Sequence, residues 1–300
     1  MKYISVAEAA NIMGVSERSV RGYCAEGRIA DAFLIGKTWN IPETAKKPDR
    51  VNKYSNTPKT LLEALRAEKA AKLHGGIYHK IQIDLTYNSN HIEGSRLTHD
   101  QTRYIFETNT IGISDGTVKV DDVVETANHF KCIDMVIDSA NHRLSGAFIK
   151  QLHAVLKNGT SDSRLDRFAV GDYKKLPNEV GGIATAAPED VETEMKKLLS
   201  AYENIETKTF DDLLDFHWRF ERIHPFQDGN GRIGRLLLFK ECLRNNFVPF
   251  IIEDDIKMFY YRGLKEWPNE RGCLRDTCLS AQDRFKKYLD YFRVPYIKSP

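Results

Sequence analysis

Apolar residues recur every three or four positions along most of the chain, which is the spacing of one buried face of an α-helix. We predict helices from Leu61 onward, from Tyr78 to Gly94, over 99–109, 120–140 and 146–157, from Glu189 to Ile205, over 210–223, and again after about residue 232. Two segments, 33–41 and 171–183, instead combine β-type residues with turn residues and predict short hairpins. Pro177-Asn178 splits the second segment and is the predicted turn. The pattern therefore predicts a mainly α protein with little β-structure.

The first 48 residues have the pattern of a small winged helix-turn-helix. A helical pattern over 3–13 is capped by Ser5, and a second helix follows Ser16 with Arg18 and Arg21 facing outward. The apolar residues of the first helix are Val6, Ala9, Ala10, Ile12 and Met13. The β-type runs around a Gly36-Lys37 turn predict a wing. This segment resembles the modules of excisionase and MerR-type DNA binders, which implies DNA contact through Arg18, Arg21 and Lys37. The alternative is a helical hairpin that contacts only protein.

A twelve-residue segment, His224-Pro-Phe-Gln-Asp-Gly-Asn-Gly-Arg-Ile-Gly-Arg235, concentrates the candidate chemistry. Gly229 and Gly231 permit a tight turn whose N–H groups point at an anion, and the helix that follows adds its positive end. Arg232 and Arg235 are three residues apart and so share one face of the first turn, where they would clamp a polyphosphate. The segment predicts a phosphate cradle.

The remaining polar groups of the segment suit metal binding and proton transfer. Asp228 offers a hard oxygen ligand for Mg²⁺ held jointly with the phosphates. His224 supplies a base that titrates near neutral pH.

Two other phosphate-binding motifs are alternatives to this interpretation. Gly229, Gly231 and Gly234 also spell G-x-G-x-x-G, with Asp254 about 20 residues on, as in a Rossmann dinucleotide site. That fingerprint needs a strand directly before it, whereas residues 210–223 have helical spacing. A Walker P-loop pattern does not occur in the chain. The loop is therefore predicted to join two helices.

The segment resembles the signature of the Fic family, H-x-F-x-[DE]-G-N-G-R-x-x-R, and matches every fixed position. The resemblance implies an all-helical core that transfers AMP from ATP to a hydroxyl of a target protein. It assigns His224 as the base, Phe226 as the anchor of the loop and Asp228 as the Mg²⁺ ligand. ATP phosphates would lie on the backbone of Gly229, Asn230 and Gly231 and against Arg232 and Arg235, with Arg235 at the γ-phosphate.

Further family features map onto segments outside the signature. Ser89-Asn-His-Ile-Glu93-Gly94 matches [ST]-x-x-x-E-[GN], which in the family marks an inhibitory helix, so Glu93 is predicted to pair with Arg235 in a bidentate ion pair. The alternative is a solvated carboxylate at a helix end. The hairpin would be a flap over the site, with ATP contacts at Val180, Gly181, Gly182 and Ile183. Tyr260-Tyr261 and Asn269 fall where relatives contact adenosine, the alternative being aromatic core residues and a loop polar residue.

These features divide the chain into a helix-turn-helix domain at 1–48, a linker at 49–59 and a helical region with the inhibitory helix at 60–145. A Fic catalytic core would follow at 146–281, and a C-terminal helix and tail at 282–300. The Lys-, Pro-, Asn- and Ser-rich composition of residues 45–58 supports the linker. Net charge is +2, and the basic excess lies at the N-terminus, where residues 1–60 hold ten Lys and Arg against six Asp and Glu.

Composition and cysteine usage suggest the cytoplasm. The five cysteines are scattered and form no C-x-x-C pair, which is typical of reduced thiols in a cytosolic protein. No apolar run reaches ~18 residues, and the N-terminus lacks the apolar segment of a signal peptide, so neither membrane insertion nor export is expected.

The predicted function is protein adenylylation, restrained by Glu93, with ATP, Mg²⁺ and a target protein carrying a Ser, Thr or Tyr hydroxyl as partners. Three alternatives stay open: removal of AMP on the same site, transfer of another phosphodiester-linked group, and a DNA-binding regulator that uses the Fic site as a sensor. Gly231 argues against phosphate transfer, because the kinase-like toxin branch of the family has lysine there. A homodimer is a further open alternative.

Overall fold

A computed structural model describes residues 2–25, 27–36, 38–48, 58–113 and 116–296. By its internal contacts the chain divides into two compact units, residues 1–57 and 58–300. Lys37 and most of the predicted linker lie outside the described residues.

The N-terminal unit is a pair of helices packed on a small antiparallel sheet. Its elements are β1 (Tyr3–Ile4), α1 (Val6–Met13), α2 (Glu17–Ala25), β2 (Phe33–Ile35) and β3 (Thr38–Pro42), with strand order β1-β3-β2. The prediction of helix from residue 3 was wrong at its start, because a capping box between Ser5 and Glu8 begins α1 at Val6. Ile12 is 63% exposed and lies outside the buried face that Ala9 and Met13 share.

The larger unit is helical apart from one hairpin and three short 3₁₀ turns in its described part, so the prediction of a mainly α fold is confirmed. Its helices are α3 (Leu61–Ala71), α4 (Ile77–Ile92), α5 (His99–Thr108), α6 (Val120–Asp138), α7 (Gly146–Lys157), α8 (Pro188–Glu203), α9 (Phe210–Ile223), α10 (Asn230–Arg244), α11 (Lys257–Glu266) and α12 (Gly272–Phe292). α12 continues through residue 281, where a boundary of the catalytic core was predicted, so no break in structure falls there.

The central element is α10, whose residues from Asn230 to Leu243 are all buried. It packs against α9, α6, α4 and α7. A helix enclosed on all sides must satisfy its charged residues internally. Lys240 does so by donating to the backbone oxygens of Ala140 and His142 and to the carboxylate of Glu241.

The turn of the hairpin lies four residues later than predicted. Strands β4 (Glu179–Val180) and β5 (Ile183–Ala184) pair across Gly181-Gly182, not across Pro177-Asn178. Both glycines have positive φ, 56° and 76°, which a two-residue hairpin turn favours and proline cannot adopt.

Among the described helices, none is both long and apolar enough to cross a membrane. All five cysteines are free, and only Cys273 is partly exposed.

Candidate active site

The loop between α9 and α10 is held rigidly against the core. α9 ends with His224 in the left-handed conformation, φ 50°. Phe226 is fully buried and stacks on the imidazole of His153, with ring centroids 3.9 Å apart. The side chain of Asn230 accepts from the N–H of Phe226 and donates to its carbonyl, each over 2.8 Å. Both bonds close the loop on itself and fix its backbone.

The first turn of α10 begins at a helix end that no side chain caps. Its N-cap, Gly229, has φ 81°. The first N–H groups of a helix have no intrahelical acceptor, so an uncapped end with a glycine beside it suits a phosphate. A Cβ at Gly229 would lie 3.4 Å from Leu156, which adds a packing reason for glycine here. The predicted cradle residues Gly229, Asn230 and Gly231 thus share one helix end.

His224 is neutral at physiological pH. Burial, with a smaller contribution from the nearby Lys174 ammonium, lowers the pKa of its imidazole to about 4. Its Nδ1 is buried without a hydrogen-bond partner. A neutral imidazole has a free lone pair, which a general base requires.

Asp228 belongs to a network of five charged groups. Its Oδ2 accepts from Lys157 Nζ over 2.6 Å and from Arg232 over 3.2 Å. Lys157 also pairs with Glu125 and, over 2.7 Å, with Asp162, while Arg232 pairs with Glu125. Burial raises the pKa of Asp228, but Arg232 and Lys157 outweigh it and hold that pKa at about 2. Asp228 is therefore a carboxylate at any working pH.

The donor set at Asp228 fits a magnesium ion. Its side chain is 44% exposed, and both cations contact Oδ2, so no described side chain donates to Oδ1. Mg²⁺ is commonly held by one or two carboxylates together with phosphates and water. Oxygens of Glu125, Asp162 and Asp228 also lie within 4.8 Å of one another, as a metal site requires. The Lys157 ammonium bonds to all three carboxylates and already fills that inner position.

Arg235 faces the end of α4 and not the partners of Arg232. Its guanidinium donates to the hydroxyl of Ser89 over 3.0 Å, to the carbonyl of Ser89 over 2.8 Å and to Glu93 Oε1 over 2.7 Å. The predicted contact with Glu93 is present, but it is a single bond. The expectation of a bidentate pair was wrong, because only Nη2 of Arg235 reaches Glu93, while Nε donates to the Ser89 hydroxyl.

Glu93 lies directly over the cradle. A Cβ built on Gly231 would come 2.2 Å from Glu93 Oε1 and 3.0 Å from Arg235. The carboxylate is 32% exposed, whereas the Arg235 side chain is 7% exposed. Glu93 thus occupies space above the helix end, in contact with one of the two arginines predicted to clamp phosphate. Arg232 instead pairs with Glu125 of α6, so the two arginines have different carboxylate partners in this structure.

The hairpin is fixed at its base and exposed at its tip. Lys174 is buried, and its N–H donates to the Pro225 carbonyl over 2.8 Å while its ammonium contacts Asn178 and Thr185. Asn178 in turn donates to the Phe226 carbonyl over 2.9 Å. The four residues predicted to contact ATP, Val180, Gly181, Gly182 and Ile183, form the exposed tip.

The predicted adenosine contacts are separated by burial. Tyr260 is 1% exposed, and its hydroxyl lies 2.6 Å from His217 Nε2, which favours the alternative of a core aromatic residue. Tyr261 is 41% exposed and donates to the Ile92 carbonyl beside Glu93. Asn269 is exposed in the turn between α11 and α12.

Three supporting residues, His153, Lys157 and Glu125, lie on α7 and α6, where no site residue was predicted. His153 donates from Nε2 to the Asp228 carbonyl over 3.1 Å and accepts at Nδ1 from the N–H of Gly171. Lys157 lies one turn further along α7 and holds the carboxylate of the same Asp228. The signal was a His and a Lys four residues apart on one helix face. Glu125 of α6 carried no such signal.

In the N-terminal unit, Arg18 and Arg21 are both exposed on α2. Arg21 pairs with Glu17 over 2.8 Å, so part of its charge is compensated.

The helical fold and the loop are similar to those of Fic proteins. Residues 143–241 match the family described as Fic/DOC family. The "Protein adenylyltransferase Fic" of Drosophila grimshawi is 27% identical over 237 residues, covering 76% of this chain and 44% of that protein. The corresponding protein of Aedes aegypti is 26% identical over 250 residues, covering 82% and 46%. The chain thus spans less than half the length of these curated relatives.

Solved structures agree on the fold. A Fic domain containing signaling protein from Bacteroides thetaiotaomicron is 26% identical, with a TM-score of 0.58 and coverage of 77% of this chain and 90% of that one. Fic-1 from Caenorhabditis elegans has a TM-score of 0.59 at 20% identity, covering 77% and 71%, and supports the fold alone.

Proposed function

We propose that this protein transfers AMP from ATP to a Ser, Thr or Tyr hydroxyl of a target protein. The observation that carries the proposal is the complete twelve-residue signature, folded into a loop that sets a neutral His224 beside an uncapped helix end. The names of the relatives from Drosophila and Aedes, protein adenylyltransferase, support the same reaction.

The imidazole of His224 takes the proton of the attacking hydroxyl. Because burial keeps it neutral, no proton has to leave before it acts. Its low pKa makes it a weak base in isolation. The approach of ATP's negative charge raises that pKa toward the working pH and improves proton transfer.

The helix end holds the phosphates in line for attack. The N–H groups of Gly229, Asn230 and Gly231 face developing negative charge without reorganising, which stabilises the transition state. Mg²⁺ bound by Asp228 would neutralise phosphate charge and favour departure of pyrophosphate.

Glu93 restrains this reaction in the proposal. Its carboxylate contacts Arg235 and lies over Gly231, where phosphate oxygens would have to come. ATP that binds while Glu93 stays in place would be held with its α-phosphorus out of line. The hairpin tip, exposed and anchored at its base to the loop, would pair with an extended target segment and bring its hydroxyl to His224.

Incorporation of label from two forms of ATP tests the reaction. The Glu93→Gly variant is incubated with Mg²⁺ and ATP labelled at either the α- or the γ-phosphate, alone and with cell lysate. Label from the α-position alone is expected on protein. His224→Ala combined with Glu93→Gly should transfer AMP ~10²–10⁴-fold more slowly than Glu93→Gly alone, while still binding ATP.

The outcomes separate the alternatives. Label from the γ-position indicates phosphate transfer, and loss of AMP from pre-labelled protein indicates the reverse hydrolysis. If protein takes up label from neither form of ATP, the proposal is contradicted.

For the N-terminal unit we propose DNA binding by the face of α2 that exposes Arg18 and Arg21. Lys37, outside the described residues, stays part of that prediction. Cytoplasmic location and homodimer formation also stay predictions.

A further inference from the structure

Lys157 is the last residue of α7 and has an unusual set of partners. It is 2% exposed, and its ammonium bonds to three carboxylates from three separate segments: Glu125 of α6, Asp162 of a 3₁₀ turn and Asp228 of the loop. An ammonium group has three N–H donors, so these bonds use all of them. Lys157 therefore joins three parts of the fold at one point.

The charges of the network leave one negative charge over. Lys157 and Arg232 contribute two positive charges against three negative ones. Asp228 is the most exposed carboxylate of the three, at 44% against 12% for Glu125 and 24% for Asp162. The surplus is thus presented to solvent at Asp228.

The position of Lys157 also fixes which oxygen of Asp228 is used. Lys157 and Arg232 both contact Oδ2. His153, one turn earlier on α7, holds the backbone carbonyl of Asp228 over 3.1 Å. Anchored at both its main chain and one oxygen, the carboxylate keeps Oδ1 outward.

We propose that Lys157 is the positioning residue of Asp228, and that its ammonium replaces a second divalent cation at the inner position among the three carboxylates. Asp228 consequently offers one oxygen and one net negative charge to a single outer cation. The role of that outer cation rests on the proposed function, whereas the filling of the inner position does not.

Titration with Mn²⁺ in the absence of nucleotide tests whether Lys157 fills the inner position. Bound Mn²⁺ is measured by the decrease of the free Mn²⁺ signal in electron paramagnetic resonance. Lys157→Met removes the ammonium and leaves three carboxylates opposed only by Arg232. It should bind Mn²⁺ at least ~10-fold more tightly than wild type, since carboxylate charge sets such affinities. The matched control is Lys150→Met, on the same helix but paired with Asp172 outside the network, and it should match wild type.

A second variant guards against misfolding. Lys157→Met combined with Asp162→Asn restores the surplus of one negative charge, so it should fold and gain no Mn²⁺ site. In the Glu93→Gly background it should still transfer AMP at least ~10-fold more slowly, because the carboxylate of Asp228 is no longer held.

Each result decides one part. Equal Mn²⁺ affinity in wild type and Lys157→Met overturns the inference about the inner position. If Lys157→Met with Asp162→Asn in the Glu93→Gly background transfers AMP as fast as Glu93→Gly alone, the positioning role is overturned. If no variant transfers AMP, the proposed function fails, while the Mn²⁺ measurement still decides what Lys157 does.

Discussion

Replacing Glu93 by Gln, and separately by Gly, separates the charge of this side chain from its bulk. Gln keeps an oxygen that can accept from Arg235, whereas Gly removes the side chain from above Gly231. The structure shows one contact, 2.7 Å long, from a guanidinium that is 7% exposed to a carboxylate that is 32% exposed. Ser89 keeps its own two bonds to Arg235 in either variant.

The size of each effect follows from that single bond. A hydrogen bond to a charged group contributes roughly 1.5–3 kcal/mol, and a neutral one about 1 kcal/mol. Glu93→Gln should therefore relieve about 1 kcal/mol of competition, which raises transfer about fivefold at saturating ATP. Glu93→Gly should relieve more and raise it at least ~10-fold. Glu93→Asp should lie between wild type and Gly, because the shorter side chain reaches only part of the way.

Initial rates of self-modification with α-labelled ATP and Mg²⁺ rank the activities of wild type and the Glu93 variants. We expect wild type below Gln and Gln below Gly. Glu107→Gln on α5 is the control, since Glu107 is similarly exposed at 26% but pairs with Arg103 and His79. Equal rates for wild type and Gly would refute the reasoning and leave Glu93 as a helix-end carboxylate.

Three further measurements check separate parts of the site and fold. Asp228→Ala, or excess EDTA, should suppress transfer strongly, and full activity in EDTA would contradict the metal assignment. If Arg18 and Arg21 bind phosphates, affinity for promoter DNA should fall steeply with salt, and binding that ignores ionic strength would favour a protein-contact role. Burial lowers the pKa of His129 from 6.5 to about 3, so below pH 6.5 the unfolded chain binds the extra proton and stability falls. By pH 5.5 the loss is about 1 kcal/mol, and a His129→Gln variant should show a smaller fall in its urea midpoint over that range.

The helices and the catalytic loop could be predicted because their signals are local. A spacing of three or four residues marks each helix, and the twelve-residue signature places His224 next to the helix end in any fold that joins α9 to α10. The contact of Glu93 with Arg235 bridges 142 residues, and only the resemblance to the Fic family suggested it.

The sequence could not predict which partner each charged side chain contacts. Arg232 and Arg235 are three residues apart, and a shared face suggested a shared ligand. In the folded chain Arg232 contacts Glu125 of α6. Arg235 contacts Ser89 and Glu93 at the end of α4. The prediction of the hairpin turn was wrong for a local reason. Pro177-Asn178 is a turn signal, but the adjacent Gly181 and Gly182 suit a two-residue hairpin turn better.

The two arginines are neutralised to different degrees, and this decides which contact a nucleotide must break. Glu125 is 12% exposed and contacts two buried cations, Lys157 and Arg232, so removing it would take one compensating negative charge from both. Glu93 is 32% exposed and has one contact, at the C-terminal end of a helix that need not unfold for the side chain to swing out. The phosphates of ATP can replace Glu93 at Arg235 charge for charge, whereas they gain nothing by opening the Glu125 pair. Entry of nucleotide should therefore displace Glu93 and leave the Lys157 network intact, so restraint and metal positioning are separate functions of two carboxylate contacts on the same helix turn.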